Sequence, residues 1–141
     1  MTIYIASDHA GLELKNKLKS FKFKDLGPYE YDSEDDYPDF AAKVCKAVKK
    51  DKKNLGILIC GAGHGMNIAA NKFKGIRAAN CWNKKSVECA REHNSINVLC
   101  LPGRLISEKT AKEIINTFLK IKPSSEKRHQ RRLNKIKKLE K

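Results

Sequence analysis

Leu55-Gly56-Ile57-Leu58-Ile59-Cys60-Gly61-Ala62-Gly63-His64-Gly65-Met66-Asn67-Ile68-Ala69-Ala70-Asn71-Lys72 is the stretch on which the fold turns. Its first five residues form an apolar run of strand length, its centre is a Gly-rich turn, and Met66 to Lys72 carry a helical pattern. A strand running through a tight turn into a helix is half of a β-α unit, and Cys60 sits at the junction. Unpaired N–H groups at a helix start favour an anion lying on them, and a free thiol with a pKa of roughly 8.5 is lowered in such a place. Cys60 is therefore a candidate base or nucleophile; the alternative is one more buried strand cysteine. Gly61, Gly63 and Gly65 let a ligand approach the backbone. The G-x-G-x-G spacing is not the dinucleotide fingerprint, and the next strand does not end in the Asp or Glu that would bind a ribose hydroxyl.

Working outward, the same alternation repeats. Residues 2 to 6 read as a strand, and Leu12 to Phe21 as a helix with Leu14, Leu18 and Phe21 on one face and a Glu13 to Lys17 pair. A weaker strand is expected over Phe21 to Leu26. An acidic loop, Asp32 to Pro38, leads to a helix with Phe40, Val44, Ala47 and Val48 inward and Asp36 near its start. Strands are expected over Ile76 to Cys81 and Val98 to Leu101, and helices over Ser86 to Glu92 and Thr110 to Leu119. Repeated β-α units imply an α/β fold with a parallel sheet and helices on both faces. Ligands of such sheets bind at the carboxyl ends of the strands, where Asp8-His9, Cys60 and Pro102-Gly103-Arg104 should meet.

With 141 residues the chain is expected to form one domain over 1–122, with 123–141 as a basic C-terminal helix of the same domain. Neither a signal peptide nor a membrane-spanning run is legible, so a cytoplasmic protein is expected. Five cysteines without a C-x-x-C pair argue against a disulfide framework or a zinc ribbon. Cys81, Cys89 and His93 could be imagined around a metal, but such spacing arises easily by chance. The net charge of +14 is concentrated: Lys120 to Lys141 hold ten Lys or Arg against two Glu, +8 of the total. Leu133, Ile136 and Leu139 recur every third residue there, a thin apolar stripe that can pack on its own domain or on a second copy. No finger, RRM signature or set of stacking aromatics accompanies the charge, so nucleic acid is not the expected partner.

Taken together, Ser7-Asp8-His9-Ala10-Gly11, Asp36-Tyr37-Pro38, Ile59 to Met66, Ile68-Ala69-Ala70-Asn71-Lys72, Gly75-Ile76-Arg77-Ala78, Arg91-Glu92-His93-Asn94 to Leu99, Gly103-Arg104 and Arg128-His129-Gln130-Arg131-Arg132 resemble the type B ribose-5-phosphate isomerases. Their superfamily includes the galactose-6-phosphate isomerase subunits. The resemblance implies a Rossmann-like three-layer sandwich with a five-stranded parallel sheet, no metal or organic cofactor, and a homodimer or dimer of dimers with its sites between subunits. It implies Cys60 as the base moving a proton between C1 and C2 of a sugar phosphate, and His93 as the acid that opens the ring. Asp8, His9 and Asn94 would hold the sugar. Backbone amides of Gly61, Ala62, Gly63, His64 and Gly65 would stabilise a cis-enediolate. Arg104, Arg128 and Arg132 would surround the phosphate; the last two stand one helical turn apart.

The chain departs from that pattern at Ala62, where a Thr or Ser is usual, and at His64, where an aliphatic residue or Asn is common. The family's other branch uses a Glu base at the position held here by Met66, which leaves Cys60 as the base. Ser125-Glu126-Lys127 replaces the common Gly-Gly before Arg128. Rival readings are the same chemistry on a six-carbon sugar phosphate, and a silent relative using its basic tail to bind nucleic acid.

Overall fold

The computed structural model describes Met1 to Lys141. Strands β1 (Ile3–Ser7), β2 (Lys24–Asp25), β3 (Leu55–Cys60), β4 (Ala78–Asn80) and β5 (Val98–Pro102) form one sheet in the order β2-β1-β3-β5-β4, with every neighbouring pair parallel. Helices α1 (Leu12–Asn16), α2 (Tyr37–Val48), α3 (His64–Ala70), α4 (Lys84–Asn94), α5 (Glu108–Lys120) and α6 (Lys127–Leu139) connect and flank it. Side chains of a strand point alternately to its two faces. Ile57 and Ile59 of β3 accordingly join a core with Leu14, Val87, Ile114, Ile115 and Phe118. Leu58 and Cys60 join a second core with Val44, Cys45, Val48, Met66 and Ala70. This is the Rossmann-like three-layer sandwich, and β3 is buried along its whole length because both its faces are covered.

Several boundaries differ from the sequence pattern, each for a local reason. The first helix stops at Asn16 because Lys17 and Leu18 donate to Leu14 and Lys15 in a tighter turn, which still carries Leu18 into the core. The second strand shrinks to two residues: Phe21 and Phe23 stack on each other at 5.1 Å. Helix α3 begins at His64, not Met66, since Gly63 adopts φ 79° immediately before it. Helix α4 runs two residues longer at each end than expected, and Asn83 and Ser86 form a reciprocal capping box that fixes its start. Strand β4 loses Ile76 and Arg77, whose carbonyl at Arg77 takes the N–H groups of both Asn97 and Val98. Asp36 precedes α2 but its carboxylate caps nothing.

The basic tail docks differently from its apolar stripe. His129 is the one buried residue of α6, while Ile136 and Leu139 stay 42% and 78% exposed. Glu140 accepts a hydrogen bond from Gly75 N, and Ser124 N donates to Glu92 O, so polar contacts seat both ends. No helix is long and apolar enough to cross a membrane.

Candidate active site

Strand β1 has β2 on one side and β3 on the other, so the chain changes winding direction between β1 and β3. Crevices form at such a point, outside the carboxyl ends of the strands. Asp8 N donates to Ile59 O at 3.2 Å, Gly103 N to Cys60 O at 2.8 Å and Arg104 N to Gly61 O at 3.0 Å. The loops after β1 and β5 are thereby tied to the end of β3 around Cys60, which is 5% exposed. The Arg104 side chain lies over Gly61. Burial pushes the Asp8 carboxyl above its ordinary range, opposed by the Gly11 N–H that its Oδ1 accepts at 3.0 Å. The sequence expectation that Asp8, His9, Cys60 and Arg104 share one edge is met.

The ring of His9 is held on one side only. Its Nδ1 stands 2.6 Å from Asp35 Oδ1, and the Tyr31 ring meets it edge-on at 5.9 Å. From there a groove of about 900 Å³ opens past Arg104 toward Glu13, Lys17 and Glu108. Asp35 escaped the sequence reading, because a run of acidic loop residues looks like a solvated surface and only the fold shows which of them turns inward.

The Gly turn is shaped by two further side chains, Asn80, which sequence reasoning did not single out, and Tyr37, to which it gave no role. A Cβ on Gly63 would fall 2.2 Å from Asn80 Oδ1, and Gly63 already has the positive φ that disfavours other residues. Asn80 Nδ2 donates to Ala62 O at 3.0 Å and stands 3.1 Å from Nδ1 of His64. Gly65 packs against the Tyr37 ring so closely that a Cβ would come within 2.7 Å of it. The motif Asp36-Tyr37-Pro38 thus works through its tyrosine, as a wall behind the turn.

Burial pushes the thiols of Cys45 and Cys81 up to about 12 and about 11, and that of Cys100 well above its usual value. These three stay protonated and act as packing. Asp8, His9 and Asp35 are the one group of three potential metal ligands, with one ligand atom from each within 4.8 Å of the others. The 2.6 Å contact between His9 and Asp35 is a hydrogen bond. Two ligands on one tetrahedral metal at about 2.0–2.2 Å would stand roughly 3.3 Å apart. His9 and Asp35 are therefore built as a hydrogen-bonded pair, with Asp8 turned to Gly11 N beside them. Cys81, Cys89 and His93 form no such group.

The other candidates lie elsewhere. Helix α4 leaves the carboxyl edge and returns to the amino edge; over its 11 residues the last turn ends roughly 15 Å from the first. His93 and Asn94 are in that last turn. The His93 ring stacks on His129 at 4.7 Å with planes 6° apart. Arg91 donates to Ile121 O and Ile96 O and lies over the Phe118 ring, clamping this end of α4 to α5 and to the approach of β5. Arg128 and Arg132 are exposed on α6, and the Nε of Arg128 is drawn to Glu126 at 2.7 Å. Within one chain, then, His93, Asn94, Arg128 and Arg132 gather at the edge opposite Cys60.

A thiol at the head of a turn of backbone donors is suited to carrying a proton between neighbouring carbons, the step that a sugar isomerase performs. The profile of the ribose/galactose isomerase family matches residues 3–136. The chain is 48% identical to the probable ribose-5-phosphate isomerase B of Mycoplasma genitalium, over 99% of this chain and 95% of that one. The crystal structure of ribose-5-phosphate isomerase B from Mycoplasma genitalium with bound ribulose-5-phosphate superposes with a TM-score of 0.89 at 46% identity, covering 97% of this chain and 94% of the other. A ribose 5-phosphate isomerase from Thermotoga maritima reaches a TM-score of 0.91 at 45% identity, with 98% of each chain covered. The chain belongs to the ribose/galactose isomerase family, in its ribose-5-phosphate isomerase type B branch.

Proposed function

We propose that this protein interconverts ribose 5-phosphate and ribulose 5-phosphate, with Cys60 as the base. The observation that carries this is Cys60 at the end of β3, where the loops after β1 and β5 are tied on, in a chain that matches a ribulose-5-phosphate-bound relative almost end to end. His93 donates a proton to the ring oxygen as the furanose opens. The Cys60 thiolate takes the proton from C2 of the aldose, the electron pair moves to form a cis-enediolate, and as that proton is returned to C1 the O2 hydroxyl gives its proton to O1, leaving the C2 carbonyl of the ketose. Amides of Gly61 to Gly65 hold the developing oxyanion, a stabilisation that operates mainly in the transition state. Asp8, His9 and Asn94 hold the sugar. Arg104, Arg128 and Arg132 bind the phosphate, and no metal or organic cofactor takes part.

Such a site requires two copies of the chain. The base lies at the carboxyl edge of the sheet, and the ring-opening acid and two of the arginines lie at the amino edge. A symmetric dimer that sets one copy's amino edge against the other's carboxyl edge completes two equivalent sites. Five free cysteines fit a reducing, cytoplasmic setting. The decisive experiment is a coupled assay on ribose 5-phosphate, allose 6-phosphate and galactose 6-phosphate, with Cys60→Ala as control. Turnover of the pentose phosphate well above both hexose phosphates, abolished in the control, is expected; preference for a hexose phosphate would replace the substrate, and turnover of none would refute the isomerase.

A further inference from the structure

We propose that Asp35 is the positioning residue of this site, fixing the His9 imidazole through Nδ1 so that Nε2 is the atom offered to the substrate. The inference deepens the isomerase reading, which gives His9 a sugar phosphate to hold. Its basis is the distribution of hydrogen bonds around one carboxylate. Oδ1 of Asp35 accepts from the backbone N–H of His9 at 3.1 Å and from its ring at 2.6 Å. Oδ2 is buried with no partner at all, and the side chain is only 9% exposed. The whole hydrogen-bonding capacity that Asp35 uses is directed at one residue.

A carboxylate can only accept, so the proton of this bond belongs to Nδ1. Neutral histidine is thereby held with Nε2 unprotonated, and protonated histidine with an Nε2–H donor. Nε2 makes no hydrogen bond within the chain, on a ring that lines the groove. The groups that face the ring come from four places. They are Asp8 beside it, Asp35 and Tyr31 from the acidic loop, Arg104 from the loop after β5, and Glu13, Lys17 and Glu108 farther along the groove. The bond to Asp35 raises the proton affinity of His9 above its ordinary 6.5, partial burial lowers it, Asp8 raises it and Arg104 lowers it. The sum is upward, so a larger share of His9 carries a positive charge at neutral pH. Such a ring is suited to a phosphate or to a sugar oxygen gaining negative charge. The support is of the kind that carboxylates give to histidines at metal and triad sites.

Nitrogen NMR of histidine-labelled protein tests this directly, with the His9 signals assigned by their loss in His9→Gln. In the unsubstituted enzyme the neutral ring should show the Nδ1–H tautomer, and its titration midpoint should lie above 6.5. Asp35→Asn keeps an oxygen acceptor but removes the charge, so the tautomer should persist while the midpoint falls. Asp35→Ala should lose both, with kcat/KM on ribose 5-phosphate down about 10- to 100-fold, the scale of losses from misplacing a reacting group. A folded Asp35→Ala protein with the tautomer and midpoint of His9 unchanged would make Asp35 a loop anchor and overturn the proposal. Should that variant not fold, the isosteric Asp35→Asn decides alone: a lower midpoint supports the proposal and an unmoved one defeats it. Absence of turnover by the unsubstituted enzyme would fault the isomerase reading and leave the titration result intact.

Discussion

The two edges of the sheet are built on different plans. At the carboxyl edge, backbone hydrogen bonds join Asp8 to Ile59, Gly103 to Cys60 and Arg104 to Gly61, Asn80 and Tyr37 mould the Gly turn, and Asp35 is bonded to His9. That half is rigid before any ligand arrives, which suits groups that must meet developing charge without reorganising. At the amino edge Arg91 and the stacked pair His93 and His129 are held against the body of the domain, whereas Arg128 and Arg132 are exposed on α6, Arg128 paired only with its neighbour Glu126. Exposed arginines suit a different job, capture of a phosphate remote from the reacting carbons. The contrast suggests that one edge does the proton chemistry and that the other supplies binding and ring opening.

The most severe way to break that division is Cys60→Ala. It should fold, since a buried thiol packs as a small apolar group, and isomerisation should drop by at least about two orders of magnitude, the scale set by losing a general base. Near-normal turnover in the folded variant would move the base elsewhere, with His64 the first group to examine. Mixing Cys60→Ala with His93→Ala protein under verified subunit exchange should restore about a quarter of normal activity, because half the random dimers carry one intact site of two. No recovery would place base and acid in one chain and sink the shared site. Arg132→Ala should raise KM for ribose 5-phosphate at least about tenfold and lower kcat too, since phosphate binding also orients the sugar. Free ribose should be affected far less, and equal losses on both substrates would make Arg132 structural. Smallest of all, Leu139→Ser should alter thermal stability within about 0.5 kcal/mol, as expected for a surface site. A drop of many degrees would show that a second copy covers the stripe of α6.

Strand β3, its turn and the α2 and α5 faces were legible because their burial imposes a periodicity that sequence displays directly. Two-residue β2 was not, since it is held by a partner distant in sequence, Tyr4 with Lys24, and the end of α1 was not, because the tighter turn at Lys17 and Leu18 keeps the same apolar spacing. In the site, Cys60 and its glycines announce themselves locally. Asp35, Asn80 and Tyr37 do not: each acts on a residue at least 16 positions away, and no spacing rule connects them. His129 carried no separate expectation within its basic motif, yet its ring is the part of α6 that enters the protein, against His93. The acidic residue expected at the head of α2, Asp36, turned out to hold nothing, while its neighbour Asp35 does.

The direction in which α4 runs has a kinetic corollary. If the groups of one catalytic centre are parted by the length of a helix, a dissociated chain retains a base with no ring-opening acid within reach. Specific activity would then be a property of the solution as well as of the molecule. Diluted below the dissociation constant of the dimer, the enzyme would lose turnover with the square of concentration, not in proportion to it, and substrate bridging the two copies would draw them back together.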